Sequence, residues 1–535
     1  MPLSRVHRRW VIGSAVGALA GALCAALRPT GGGKPSAAAS AASASKPPRA
    51  MPSVIPETSP PARAILPAHV QERPPAEQPA GPRVHAKTRF VWIRERPEWS
   101  SQWLGYLWPG DSVALRSPKP IYARGCDTWY AVLPRGYVCV DRSRATLDSQ
   151  DPGFTEVSAH TPDPFSPSPY GYAQSLGAPR YEALPDPAEQ RAREPDLEQH
   201  LSLLERARHG ETRDPTLAGV DLTPATEDAV TFASLPVELQ IRRRELRRDS
   251  TIAFVGQYRH GERSFLLTPD FVWVPKDRVR PFAPVTFHGV RLGGDVTLPI
   301  AFFRERPRPA YRRTDSGAFE PEGRTFPRLG WVGLTGRSEI GSGATYLETR
   351  EAGLWLLQSD AVVPRQRELT PWGARVGAPD VSKNRPRGRA TWIDTSVYGG
   401  WLVAYEDTEP VFATLVAPGR GGAAPADAEN LTETSSTPTG IFPISGKFVS
   451  ATMDGPENVT HADVPWVQNF RGPHALHAAY WHDAWGERVS GGCVNVSPED
   501  GRFLFEFTEP VLPEGWHGVR WTRDLDPPTL VVVHP

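Results

Sequence analysis

Residues 474–496, HALHAAYWHDAWGERVSGGCVNV, bring a histidine, a Ser-Gly-Gly-Cys turn and an asparagine close together, and Cys493 is the only cysteine in the last third of the chain. A cysteine attacks as its thiolate, so it needs a neighbour that takes its proton, and an imidazole does this near neutral pH. His477 is the candidate base. Gly491 and Gly492 let the backbone turn sharply before Cys493, and the amides of Gly492 and Cys493 could then point at a developing oxyanion. Ser490 would orient the turn through its hydroxyl, and Asn495 would hold it by hydrogen bonds to backbone. Competing readings exist for each residue. A lone cysteine is commonly a small buried apolar group, and His474 or His482 could serve as the base. A metal site built from His474, His477, His482 and Cys493 matches no usual zinc spacing and lacks a second nearby cysteine. The pattern therefore calls for no metal and no cofactor.

These residues carry a family resemblance. The stretch resembles the catalytic signature of the YkuD-type L,D-transpeptidases, in which a His-Gly segment precedes a Ser-His-Gly-Cys-apolar-Asn turn. Residues 477–482, HAAYWH, stand for the first half and residues 490–495, SGGCVN, for the second, while TPTGIF at 437–442 resembles the family's strand entry. Two positions depart from it: the second His of the turn is Gly491, and the Gly after the catalytic His is Ala478. The resemblance implies a cysteine acyltransferase acting on peptidoglycan. Cys493 would attack the carbonyl of the third residue of a tetrapeptide stem and expel the terminal D-Ala, and an amine from another stem or an envelope protein would resolve the thioester. It also makes His477 base and then acid, steered by the carbonyl of Ala478, and selects it over His474 and His482. The rival expectation is a wall-binding scaffold whose C-terminal domain has lost its chemistry, kept alive by Gly491.

Aromatic side chains near the turn, Trp466, Tyr480, Trp481 and Trp485, read first as core. In an enzyme acting on glycopeptides one or two of them could instead line a groove, and Trp466 and Tyr480 are the named candidates.

The elements that must position this stretch belong to a chain of 535 residues, long enough for several domains. Formal net charge is zero and no long basic run follows the first ten residues, which gives no reason to expect nucleic-acid binding. At the N-terminus, Arg5, Arg8 and Arg9 precede an apolar run, so residues 1–27 read as a signal peptide that is either cleaved or kept as an inner-membrane anchor. Arg8-Arg9 also fits a twin-arginine route, whereas Leu23 stands where a lipoprotein would carry a small residue before Cys24. Export to the periplasm or cell envelope follows. Residues 28–85 are Ala, Ser, Pro and Gly with almost no aromatics, the composition of a disordered tether.

Residues 88–147 alternate short apolar strands with Pro-Gly and Arg-Gly turns, a small β-barrel pattern that resembles bacterial SH3-like domains. Cys126 and Cys139 lie 13 apart within it. In an oxidising compartment they would pair, worth roughly 3 kcal/mol by loop closure, leaving Cys493 as the free thiol. Residues 150–249 read as a Pro-rich and helical connecting region, with one helix after Asp196 as N-cap and Gly210 as stop, and a second from Pro236 to Arg248. Residues 250–365 echo the first module as further SH3-like β units. Residues 388–535 open with a β-meander, pass a Gly, Ala, Ser and Thr loop at 420–437, and lead into the catalytic stretch. The fold class expected is multidomain and mainly β, with a YkuD-like sandwich or mixed-sheet domain at the C-terminus, all-β and separable from what precedes it.

Overall fold

The computed structural model describes residues 81–535 apart from 164–165, 237–238, 240–245 and 456–458. The expected signal segment, nearly all of the tether and most of the helix from Pro236 lie outside the described residues. Among the described residues no helix is long and apolar enough to cross a membrane. The chain is mainly β, with four α-helices among these residues.

Eight short strands between residues 83 and 146 follow the alternating pattern, with Val91 and Ile93, Leu104, Val113 and Val138 turned into one core. The strand Cys126–Ala131 pairs antiparallel with Tyr137–Val140, and a disulfide joins Cys126 to Cys139 across it. Thiol counting on unfolded, non-reduced protein should therefore find Cys493 titratable and both Cys126 and Cys139 silent; alkylation of either would overturn the pairing. The core of this module is closed by residues from the other end of the chain. Trp516 and Val519 pack into it, and strand Trp103–Leu107 pairs with Gly518–Arg520. Gly105 makes the approach possible, because a Cβ there would lie 2.3 Å from the Gly518 carbonyl and 2.4 Å from the Trp516 ring.

The Pro-rich region expected to connect modules is itself folded. Strand Gly171–Ser175 pairs with Thr251–Phe254 and Val279–Pro281, and the helix Leu197–Arg208 buries Leu197 and Leu204. The helix begins where expected, but Asp196 makes no capping hydrogen bond; its carboxylate is taken by Arg278 at 2.7 Å. Gly210 adopts φ +73° just beyond the end. Residues 300–357 form a separate six-stranded sheet. Strands Trp273–Pro275 and Leu354–Leu357 are each followed by one 3₁₀ turn and a return to extended chain.

At the C-terminus the meander of Thr391–Ser396, Trp401–Glu406 and Glu409–Leu415 lies in a seven-stranded sheet, beside Leu530–His534 and Thr437–Pro443. Trp392, Val403, Tyr405 and Leu415 build its core. A second sheet holds the hairpin Gly446–Asp454 and Thr460–Arg471, then His474–Ala478 and Val494–Val496.

Two expectations for this region need correction. It is not all-β, because Pro498–Phe507 is a helix with Ser497 accepting from Asp500 N–H, Pro498 at its first position and Phe503, Leu504 and Phe507 buried. Its last carbonyls are met by the fully buried Lys447, which donates to Phe505 O and, at 2.8 Å, to Thr508 O. Nor is it structurally separate: Thr460–Arg471 pairs with Thr251–Phe254, Gly518–Arg520 with Trp103–Leu107, and Glu409–Leu415 with Val290–Arg291. The pleat of one module supplies strand partners for the next, which a pattern read along one segment does not reveal.

Candidate active site

Strands His474–Ala478 and Val494–Val496 run parallel with Leu476 opposite Val494 and His477 opposite Asn495. Because side chains alternate along a strand, His477 and Asn495 share one face and Leu476 and Val494 the other. One step back along this register, Cys493 falls beside Ala475, whose N–H donates to the thiol sulfur. Cys493 therefore lies on the His477 face, two residues along. His474 lies on the opposite face, with Nδ1 3.3 Å from Arg471 O and a ring hydrogen bond to Ser436 O.

The turn before Cys493 is tied by Ser490. Its Oγ donates to Cys493 O at 2.5 Å and accepts from Gly492 N–H at 3.0 Å. This corrects the expectation for Gly492: its amide is spent inside the turn and does not face an oxyanion. What requires glycine there is space and backbone. Gly492 has φ +124°, and a Cβ would stand 2.9 Å from Ser436 O and 3.0 Å from His474 Nε2. The amides of Gly491 and Cys493 have no acceptor among the described residues. Gly491 is exposed.

His477 is buried, and its Nδ1 lies 3.0 Å from Ala478 O. The carbonyl can only accept, so the proton of the neutral ring sits on Nδ1 and Nε2 keeps a lone pair. Burial lowers the His477 pKa to about 4 and pushes the Cys493 thiol up to about 11. The resting pair is thus neutral thiol and neutral imidazole. Cys493 is partly exposed and packs, with Trp481, Met453, Ala451 and Phe448, against buried Val464, Val467 and Ala475.

Asn495 also departs from expectation. Its backbone N–H and C=O both pair with Ala417, but its side-chain amide faces His482 Nε2 at 3.1 Å. His482 Nδ1 accepts from Ala484 N–H, and burial lowers its pKa to about 4. The two aromatic candidates for a groove are structural. Tyr480 is buried, stacked on Tyr172 at 3.6 Å between ring centres, and Trp466 is buried with Nε1 donating to Pro167 O at 2.7 Å. Trp485 is in the core as well. Of the four, Trp481 adjoins the site, its ring 5.9 Å from that of His477.

A residue that pattern reading missed is His461, stacked on Trp481 at 4.3 Å between ring centres. Burial lowers its pKa to about 4, and its Nδ1 has no partner among the described residues. Nothing in the local sequence marks it; it comes into place through the hairpin register Met453 to His461. Among the described residues no group of three His, Cys, Asp or Glu side chains is placed to hold a metal ion.

Comparison with known proteins bears on this region. Residues 390–532 match the model of the YkuD family, the L,D-transpeptidase catalytic domain. Solved structures similar to the chain include a mutant Enterococcus faecium L,D-transpeptidase, at 20% identity over 27% of this chain and 50% of that one, with a TM-score of 0.20. An L,D-transpeptidase from Stackebrandtia nassauensis gives 22% identity over 29% and 61%, with a TM-score of 0.19. One from Mycobacterium smegmatis gives 16% over 37% and 77%, with a TM-score of 0.21. The chain thus spans about half to three fifths of the length of the first two. No curated protein sequence matches it.

Proposed function

Since residues 390–532 carry the L,D-transpeptidase catalytic domain, we propose that this protein is an exported cysteine transpeptidase acting on the tetrapeptide stems of peptidoglycan. The observation that carries the reading is the shared face of His477 and Cys493, with His477 Nδ1 tied to Ala478 O so that Nε2 is the free base.

The thiol proton passes to His477 Nε2 as sulfur bonds to the carbonyl carbon of the stem's third residue. The oxyanion is met by the Cys493 amide, with Gly491 N–H as a second donor, and Gly492 N–H takes no part. Collapse breaks the C–N bond to the terminal D-Ala, whose amine leaves with the proton from His477, and a thioester remains on Cys493. An acceptor amine, from a second stem or an envelope protein, then attacks the thioester with His477 again as base; the C–S bond breaks, and the Cys493 thiolate takes the proton back from His477. Acting on the cell wall requires export, in keeping with the basic and apolar character of residues 1–27. The module at 88–147 is proposed as SH3-like, with related units between 250 and 365.

Intact-mass measurement after incubation with a tetrapeptide muropeptide tests the reading. The expected product is an adduct of the stem lacking its last alanine, lost entirely in Cys493→Ala. Gly491 gives a graded version of the test. It is exposed and its φ lies outside the left-handed region, so a side chain there brings no backbone strain. Gly491→His should speed acyl-enzyme formation by roughly ten- to a hundredfold, the worth of one regained polar contact. Acylation of Gly491→His but never of the wild type would instead favour a wall-binding scaffold.

A further inference from the structure

Segment 479–487 runs from the strand bearing His477 toward the turn bearing Cys493, and its Trp481 lies beside both. Trp481 lies against His477 and shares the apolar wall of Cys493, while His482 faces the Asn495 amide. The segment is gripped on two sides by residues upstream of the matched domain.

On one side the Tyr480 ring stacks on Tyr172, and its hydroxyl closes a small hydrogen-bonded ring. Tyr480 Oη donates to Ala462 O at 2.9 Å and lies 2.6 Å from Thr251 Oγ1, which accepts from Ala462 N–H at 3.2 Å. Donation to Ala462 O leaves Tyr480 Oη to accept from Thr251, so each hydroxyl is satisfied once as donor and once as acceptor. On the other side Arg328 makes two bonds to one residue, Nη1 to Asp483 Oδ2 at 3.0 Å and Nη2 to Asp483 O at 2.9 Å. Arg304 Nη1 donates to Gly486 O at 2.9 Å, and its Nε lies 3.4 Å from Glu487.

The arginine contacts are badly placed for a purely stabilising purpose. Arg328 and Asp483 are 35% and 68% exposed, a setting in which an ion pair adds little to global stability. They are well placed to fix a loop, because two of the four arginine contacts are to backbone carbonyls, Asp483 O and Gly486 O.

We propose that Thr251, Arg304 and Arg328 are positioning residues of the thiol site, holding segment 479–487 in place beside His477 and Cys493. Trp481 is thereby kept against one flank of the partly exposed thiol, and His482 in register with Asn495. Only the acylation readout below rests on the transpeptidase reading; the thiol readout does not.

The test uses the full chain with Arg304→Ala/Arg328→Ala, the matching double lysine variant, and Thr251→Val. Alkylation of Cys493 by iodoacetamide is followed across pH at the peptide containing it. In the wild type the midpoint should lie near the thiol's raised value of about 11. In the double alanine variant it should fall by about one pH unit as Trp481 leaves the thiol's flank and more of the sulfur meets water, with partial return in the lysine variant, which can still donate to the carbonyls. Acylation by the tetrapeptide should slow by roughly tenfold in the same variant. A midpoint unchanged in the double alanine variant overturns the proposal, whatever Thr251→Val does to folding. Failure of the wild type to acylate while the midpoint still moves overturns the transpeptidase reading and leaves this one standing.

Discussion

Exchange of His477 for glutamine is expected to slow acylation of Cys493 by roughly a hundred- to ten-thousandfold, the range over which a positioned acid–base group contributes. Glutamine can still donate to Ala478 O but cannot take a proton, so the change separates catalysis from architecture. The wild-type pH profile carries the same information. Burial holds the His477 pKa near 4, so the base form is present above that pH and is lost as pH falls through it. Burial also holds the thiol at about 11, so the thiol and neutral imidazole coexist between the two values. The acylation rate should therefore be flat from about pH 5 to 9, fall below that range, and show no step near the ordinary histidine value. Intact-mass time courses at successive pH values measure this. A wild-type inflection between pH 6 and 7, or a glutamine variant within about threefold of wild type, would show that His477 is not the base.

The constellation was legible where its chemistry is local. Ser490 to Asn495 and His477 are neighbours in sequence, and the strand partners that align them are separated by one short segment. The fate of the Gly492 amide was also within reach, since a serine hydroxyl two residues before an N–H commonly bonds to it. The helix after Ser497 is announced by Ser-Pro-Glu-Asp, a cap, a first-turn proline and two acidic residues. Other features were closed to local reading. Tyr480 and Trp466 look like groove aromatics until Tyr172, Thr251 and Pro167, more than 220 residues upstream in each case, supply their partners. His461 follows the same logic, because its neighbours Trp481 and His477 are set by sheet register and not by spacing. Sequence periodicity reports which face of an element is apolar, but not which distant element covers it.

The largest effect on stability is expected far from the thiol, at Arg263. This guanidinium is buried and grips two carboxylates in bidentate fashion: Glu194 at 2.7 and 2.8 Å, and Asp277 at 2.7 and 2.8 Å. Gln190 accepts a further bond at 3.1 Å. Burial disfavours all three charges, yet the hydrogen bonds outweigh it, holding Arg263 above its ordinary pKa and Glu194 and Asp277 below theirs. Arg263→Met leaves both carboxylates buried, with Arg278 and the Tyr181 hydroxyl on Glu194 and His200 on Asp277 as the remaining partners. Removing one member of a buried ion cluster typically costs about 3–5 kcal/mol. The carboxylates contribute above their unfolded pKa, near 4, and that contribution is lost as pH falls through their depressed folded values. The variant should thus lose the acid stability of this region along with its neutral-pH stability. Hydrogen exchange in strands Arg263–Leu267 and Thr251–Phe254 would read the loss directly, and it should be largely regained when Glu194→Gln and Asp277→Asn are added to Arg263→Met. Because Thr251 lies in the second of these strands and holds Tyr480, the single variant should also acylate more slowly. Exchange protection within about 1 kcal/mol of wild type would mean that the cluster is dispensable.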